Sequence, residues 1–304
     1  MSGLATETAA PAPARWTVLD VIKWTTARFT ERQLDTPRLD AEILVAHALG
    51  LSRVQLYVQH DRPLTPGELA GIRELIKRRQ AGESVAYVVG KKEFWGLELA
   101  VDARVLVPRP DTETLVEEAR ARLDELNENQ TGPLGEFLER IADVGTGSGA
   151  IALALARLRP AAALHAVDVS PDALAVARAN AERLGLQVTF VQGDLAGPLA
   201  PHAPFSLIVA NLPYIPSGDL AGLPPEVRAE PALALDGGPD GLDLVRRLVA
   251  AAPALLRAGG ALALEIGAGQ ADATAGLLAA AGFQDVRRRR DLAGVERVVS
   301  GVKP

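Results

Sequence analysis

An α/β protein with a mostly parallel sheet, preceded by a small helical bundle, is the fold class this sequence predicts. Three observations carry that expectation. From Arg140 onward, short apolar runs alternate with helical patterns, as strands and crossover helices do in a parallel sheet covered on both faces. "DVGTGSGAIALALA", residues 143–156, sets three glycines between a strand end and a helix start. Residues 17 to about 82, by contrast, carry helical spacing.

The 304 residues are comfortable for two domains. The opening "MSGLATETAAPAPAR" has neither a charged head nor an apolar central segment, so residues 1–16 are expected to be a disordered tail rather than a secretory signal. A helical domain is expected over 17–85. Thr17 with Asp20 makes a capping-box start for its first helix. Pro37 opens a second helix and Gly50 stops it. In "TPGELAGIRELIKRRQAG" Thr65 caps, Pro66 takes the first helical position and Glu68 closes the box. Apolar stripes without catalytic groups make this half a candidate substrate-docking module.

A β-hairpin connector is expected over 86–110, because "YVVGKKEFWGLELAVDARVLVPR" alternates apolar and polar residues around Gly96. "PDTETLVEEARARLDEL" begins the next helix, and the sheet domain runs over 111–304. Its strands are expected in "RIADVG", "ALHAVDV", "VTFVQ", "FSLIVAN" and "ALALEIG", with helical runs from Ala150, Pro171, Gly241 and Gln270. "DVRRRRDLAGVERVVSGV" predicts two final strands around a short turn.

Composition narrows the chemistry. No apolar run is long enough to cross a bilayer. The absence of cysteine excludes disulfides, thiolate nucleophiles and zinc–thiolate sites. The four histidines, His47, His60, His165 and His202, are scattered, so no metal is expected. Lack of both signal and cysteine suits the cytoplasm. Net charge is −6, which leaves no global basic footprint for nucleic acid. The run "RRRR" at 287–290 lies near Asp285, Asp291 and Glu296 and is expected to be a solvated strand face.

The glycines at 145, 147 and 149 allow close backbone approach of a ligand, and the helix start at Ala150 offers free N–H groups. Gly145, Gly147 and Ala150 also satisfy the dinucleotide pattern, which leaves a nicotinamide cofactor open at this point. Asp168 ends the second strand about 20 residues on, where a carboxylate can accept both hydroxyls of a ribose. Asp194 ends the third strand, and Asn211 the fourth, in "VANLPYIP". A carboxamide or exocyclic amine has two N–H donors and a poorly available lone pair. Asn211 Oδ1 could accept one N–H and a backbone carbonyl the other, aiming the nitrogen at an electrophile. Pro213 would stiffen the turn and Tyr214 offer a flat surface. Positioning of this kind needs no strong base, and none is obvious nearby.

The segments "YVVGKKEFWGL", "VLVPRPDTETLVEE", "ADVGTGSGAIALALA", "VDVSPDALAVARANA", "LIVANLPYIP", "LPPEVRAEPALALDGGPDGL" and "LALEIGAGQ" resemble the class I S-adenosylmethionine methyltransferases. More closely, they resemble the bacterial release-factor glutamine N5-methyltransferases, over residues 18–299. "PRPDTE" and the long run from Leu223 are more specific than the glycine loop. The resemblance implies a Rossmann-like class I methyltransferase sheet and S-adenosyl-L-methionine as cofactor. It implies a donor site at Gly145, Thr146, Gly147, Ser148, Gly149, Asp168, Asp194, Leu195 and Asn211. Asn211 and Tyr214 would be catalytic. With Leu212, Pro213, Phe94 and Arg109 they would hold the substrate glutamine, in the Gly-Gly-Gln loop of a peptide chain release factor. The family motif is Asn-Pro-Pro-Tyr, so this sequence departs from it at Leu212; it departs again at Ser84, where the family has proline. Asn-Leu-Pro-Tyr also resembles the motif of ribosomal RNA adenine dimethyltransferases. Alternatives are therefore a nucleic-acid adenine-N6 methyltransferase, a ribosomal-protein glutamine methyltransferase, and a nicotinamide-dependent oxidoreductase. The last explains the glycine loop but not Asn-Leu-Pro-Tyr.

Overall fold

The computed structural model describes residues 15–128 and 139–304. The expected tail lies outside the described residues as far as residue 14. Trp16, assigned to that tail, instead packs against the helical core, and its carbonyl accepts from the Leu64 amide at 2.8 Å. The chain divides into two compact units, Met1–Val89 and Gly90–Pro304.

The first unit holds α1 (Val18–Glu31), α2 (Pro37–Leu49), α3 (Arg53–Val58), α4 (Pro66–Gln80) and α5 (Val85–Val89). Thr17 with Asp20 and Thr65 with Glu68 form full capping boxes, as their spacing predicts. Ser52 with Gln55 forms a third, which starts α3. Val18, Phe29, Leu44, Val45, Leu56 and Ile72 make a shared apolar core.

One expectation is corrected here. The hairpin does not begin at Tyr87, which lies in α5. Ser84 Oγ accepts from the Tyr87 amide at 3.3 Å and its carbonyl from the Val88 amide at 3.0 Å, so Ser84 starts a helical turn. Gly90, at φ 75°, ends it. The paired strands are only β1 (Lys91–Phe94) and β2 (Leu97–Ala100), within the second unit.

That unit continues with α6 (Glu113–Glu128), β3 (Arg140–Val144), α7 (Ala150–Leu158), β4 (Ala163–Asp168), α8 (Pro171–Leu184), β5 (Thr189–Gln192) and β6 (Phe205–Ala210). Then come α9 (Pro225–Arg228), α10 (Asp243–Leu255), β7 (Leu256–Glu265), α11 (Ala271–Ala280), β8 (Gln284–Arg290) and β9 (Glu296–Val302). The sheet order is β5-β4-β3-β6-β7-β9-β8. β3 to β7 run parallel, while β9 and β8 pair antiparallel. Side-chain alternation buries both faces. In β6, Leu207 and Val209 join Leu115 and Leu155 on one side, while Ile208 and Ala210 join Leu248 and Val249 on the other. The chain leaves β3 toward β4 and later returns to β6 beside β3, so the strand order reverses between β3 and β6. Ligands of open α/β sheets bind at that point, outside the carboxyl ends.

The arginine run lies on β8 at the sheet edge, and each guanidinium meets an acid. Arg287 pairs with Glu125, Arg288 with Asp272, Arg289 with Glu117 and Arg290 with Glu296. It is a neutralised edge, which resists strand-to-strand association.

Asp143, in β3, is fully buried. The Thr146 hydroxyl donates to its Oδ2 at 2.7 Å and the Ala152 amide at 3.1 Å, which ties the glycine loop and the start of α7 to the strand. Burial pushes its carboxyl up to about 7, from an ordinary 3.8, against the pull of those two donors. The folded protein thus holds this proton more tightly than the unfolded chain does. The stability contributed is full below the ordinary value and is lost as pH rises toward about 7. Asp143→Asn keeps an acceptor and the packing but removes the charge. Thermal unfolding of the variant should lose less between about pH 5 and about pH 8 than wild type, by on the order of 5 °C. Equal pH dependence of the two proteins would contradict the assignment.

Candidate active site

The carboxyl ends of β3 and β6 face each other, with Val144 in register with Ala210. The next residues, Gly145 and Asn211, therefore stand side by side at the reversal. A cavity of about 310 Å³ opens there. Of the residues expected at the site, Gly145, Gly147, Asp168, Asp194, Leu195, Asn211, Leu212 and Pro213 line it.

The loop after β3 is shaped by its own hydrogen bonds. Gly145, Gly147 and Gly149 all have positive φ, a region that favours glycine. The Gly145 and Thr146 amides donate to the Val167 carbonyl at 2.9 and 3.1 Å. The Gly147 amide donates to Asp168 Oδ2 at 2.9 Å, and the Ser170 amide to Oδ1 at 2.9 Å. Asp168 thus fastens the loop and still keeps spare lone pairs on both oxygens. Asp194 pairs with Arg247 at the cavity rim.

Three loop residues do not face the cavity. Thr146 is turned inward to Asp143. Ser148 is buried, and its carbonyl accepts from Asn180 Nδ2 at 3.0 Å. Gly149 permits close helix packing: a Cβ there would stand 3.2 Å from that of Ala177. These residues shape the loop from behind. Phe94 does not line the cavity either. It is 1% exposed, in the apolar cluster with Leu97, Leu115 and Ile141. The alternation of β1 turns it toward the core, where it packs.

Asn211 has one end of its amide already engaged. Its Nδ2 donates to the Thr112 hydroxyl at 3.2 Å. Thr112 is 3% exposed and sits in "PRPDTE". Glu265, at the end of β7, adjoins both side chains, is 1% exposed, and has no hydrogen-bond partner for Oε2. Burial pushes its carboxyl up to about 7, against hydrogen bonding from Thr112 and Asn211 and the charge of Arg297. A buried titratable carboxyl therefore stands beside the site, where the sequence had shown no obvious base.

The turn after Asn211 is braced from outside. The Ile215 amide donates to the Leu235 carbonyl at 3.1 Å, and the Gly237 amide to the Ile215 carbonyl at 2.9 Å. A Cβ at Gly237 would lie 2.6 Å from the Pro213 carbonyl oxygen, so only glycine lets the two backbones approach. Gln270 Nε2 donates to the Tyr214 carbonyl at 2.9 Å. This bracing answers the departure at Leu212: the turn is held without a second proline, and the Leu212 side chain is 4% exposed in the core. Tyr214 lies outside the cavity lining, half-buried beside Gly267. Burial pushes its phenol up to about 12, with the charge of Glu265 adding to the shift, so it stays neutral. Arg109 is not in the lining but donates to both oxygens of buried Glu230 at 2.7 and 2.8 Å. That pair anchors the segment bearing Pro231 and Leu233, which do line the cavity.

Sequence reading missed Thr112, Glu265, Ser170 and Arg247 as contributors. Glu265 had a signal: an acid within the otherwise apolar "ALALEIG". Arg247 had none, because a helix arginine is ordinarily solvated. Among the described residues no cluster suited to a metal ion occurs, and no helix is long and apolar enough to cross a membrane.

Comparison with known proteins completes the picture. Residues 20–90 match the PrmC N-terminal domain and residues 141–229 a methyltransferase domain. A release factor glutamine methyltransferase of Geobacter sulfurreducens is 45% identical over 95% of this chain and 98% of its own length. One of Chlorobaculum tepidum is 42% identical over 95% and 98%. Among solved structures, the hMettl16 catalytic domain in complex with a MAT2A 3′UTR hairpin is 15% identical, with a TM-score of 0.55 over 74% of this chain and 83% of that one. It shares the fold. With relatives this similar along nearly their whole length, and with both domains matched in order, the chain belongs to the release factor glutamine methyltransferase family.

Proposed function

We propose that this chain transfers a methyl group from S-adenosylmethionine to the side-chain amide nitrogen of the glutamine in the Gly-Gly-Gln loop of a peptide chain release factor, in the cytoplasm. The observation that carries the site assignment is the Asn211 amide, held by Thr112 at the strand-order reversal beside Gly145.

The residues present fit the donor. Asp168 keeps lone pairs for two ribose hydroxyls beyond the amides it accepts. Gly145 bares its backbone to the cavity, where a Cβ would stand 3.1 Å from Leu212 Cδ2. When bound, S-adenosylmethionine supplies an electrophilic methyl on a sulfonium. The protein positions the nucleophile. Asn211 Oδ1, left free when Nδ2 binds Thr112, accepts one amide N–H of the substrate. The Leu212 carbonyl, which no donor takes among the described residues, accepts the other. Both lone pairs of the protein then point the substrate nitrogen into the cavity. Tyr214, a neutral phenol, walls the planar amide. The nitrogen turns acidic only as its new bond to carbon forms, and then releases one proton to solvent. Arg109 keeps Glu230 and the following cavity wall in place.

The helical unit is proposed to dock the protein substrate. Val54 and Val58 on α3 are 73% and 74% exposed and present apolar surface to a partner. Nucleic-acid binding is not part of the proposal, given the net charge of −6 and the neutralised arginine run. Labelled-donor transfer assayed against release factor, ribosomal protein and RNA tests the reading. Transfer to the release factor alone is expected, and transfer to RNA or ribosomal protein alone would contradict it.

Three variants sharpen that test. Asp168→Ala should weaken donor binding by ~1.5–3 kcal/mol, as for hydrogen bonds to a charged group; unchanged calorimetric affinity would remove Asp168 from the site. Asn211→Ala should lower kcat ~10²-fold or more, the scale on which misplacing a reacting group acts. Near-normal turnover would reduce Asn211 to a strand stop. Val58→Glu combined with Val54→Glu should raise KM for the intact release factor roughly tenfold, about 1.4 kcal/mol, with donor affinity unchanged. An unaltered KM would take this face out of docking.

A further inference from the structure

Thr112 alone cannot decide which way round the Asn211 amide sits. A hydroxyl both donates and accepts, so it can pair equally with Nδ2 or with Oδ1 of a carboxamide. Something must commit the hydroxyl proton elsewhere. An ionised carboxylate only accepts, and one adjoins this pair. The β6–β7 register matches Ala210 with Leu264, which sets Glu265 next to Asn211. Glu265 is 1% exposed and Thr112 is 3% exposed, so the carboxyl, the hydroxyl and the Asn211 amide that Thr112 holds share one dry place. Its Oε2 has no partner, so the acid has capacity in hand. Nothing in the methyl-transfer step itself uses it, and it does not line the cavity.

We propose that Glu265, as a carboxylate, is a positioning residue: by accepting a hydrogen bond from the Thr112 hydroxyl it makes Thr112 accept from Asn211 Nδ2, which leaves Asn211 Oδ1 for the substrate amide. The inference rests on the functional reading above, in which Oδ1 is the working atom. Its physical content is a relay of direction. As a carboxylate Glu265 accepts only, so Thr112 donates to it and Asn211 must present nitrogen inward and oxygen outward. Reversed, the amide would offer the substrate N–H an N–H, which repels it.

Glu265→Gln tests this with the shape kept, because glutamine both donates and accepts and no longer commits Thr112. The expected result is a kcat lower by roughly tenfold or more, with donor affinity and the KM for release factor within about twofold of wild type. Thr112→Val should lose a similar factor and Thr112→Ser should recover most of it. In the Asn211→Ala background, Glu265→Gln should cost nothing further, since the orientation it protects is gone. A kcat within twofold of wild type, or the same loss in both backgrounds, would overturn the proposal and make Glu265 a purely structural acid. A readout independent of substrate separates failure here from failure of the functional reading. The Asn211 side-chain amide signals in a ¹⁵N spectrum, assigned by their loss in Asn211→Ala, should shift and lose exchange protection in Glu265→Gln. Unmoved signals would reject the relay whatever the enzyme methylates.

Discussion

A single hydrogen bond, from Asn211 Nδ2 to the Thr112 hydroxyl at 3.2 Å, is the constraint on which the proposed reading of this site depends. It uses the donor end of a carboxamide and leaves the acceptor end open, which in the proposed reading takes a substrate N–H. The parallel pairing of β3 with β6 sets Asn211 beside the glycine loop, and pairing of β6 with β7 sets Glu265 beside Asn211. Amide nitrogen is a poor nucleophile, so a site that aligns it contributes more than one that merely binds it.

The segment "PRPDTE" gains a physical meaning from these contacts. Arg109 holds Glu230 and with it the wall at Pro231 and Leu233. Asp111 pairs with Arg297 of β9 at 3.3 Å. Thr112 orients Asn211. Glu113 Oε1 accepts from the Trp95 amide at 3.0 Å and so closes the hairpin turn. Four consecutive polar side chains of one short stretch, with a proline between the first two, join the hairpin, the sheet and the cavity wall. The glycines of "DGGPDGL" act on the other side, where close backbone approach braces the turn at Pro213 and Tyr214.

The main frame was legible in the sequence because its signals are local. Capping boxes at Thr17 and Thr65, alternation in the strands and three glycines before Ala150 each depend on neighbours a few residues away. What escaped depends on distant partners. Thr112 and Asn211 are 99 residues apart and Arg109 and Glu230 are 121 apart, so no periodicity announces either pair. Tyr87 was misread because its run alternates like a strand, while the Ser84 cap and Gly90 select a helical turn. Phe94, Thr146, Ser148 and Gly149 were expected at the site but do not line the cavity. A motif names positions near a ligand without saying which side chains face it, and these four face the core or the back of the loop.

The orientation of the Asn211 amide is open to direct observation. A neutron crystal structure of the chain with S-adenosylhomocysteine and a glutamine-containing release-factor peptide would show it, because it locates the amide hydrogens that X-rays at ordinary resolution do not. The account predicts the substrate amide nitrogen within about 3.2 Å of both Asn211 Oδ1 and the Leu212 carbonyl, with Asn211 Nδ2 still on Thr112. A substrate nitrogen held by other groups, or an Asn211 amide turned with its nitrogen toward the substrate, would contradict it.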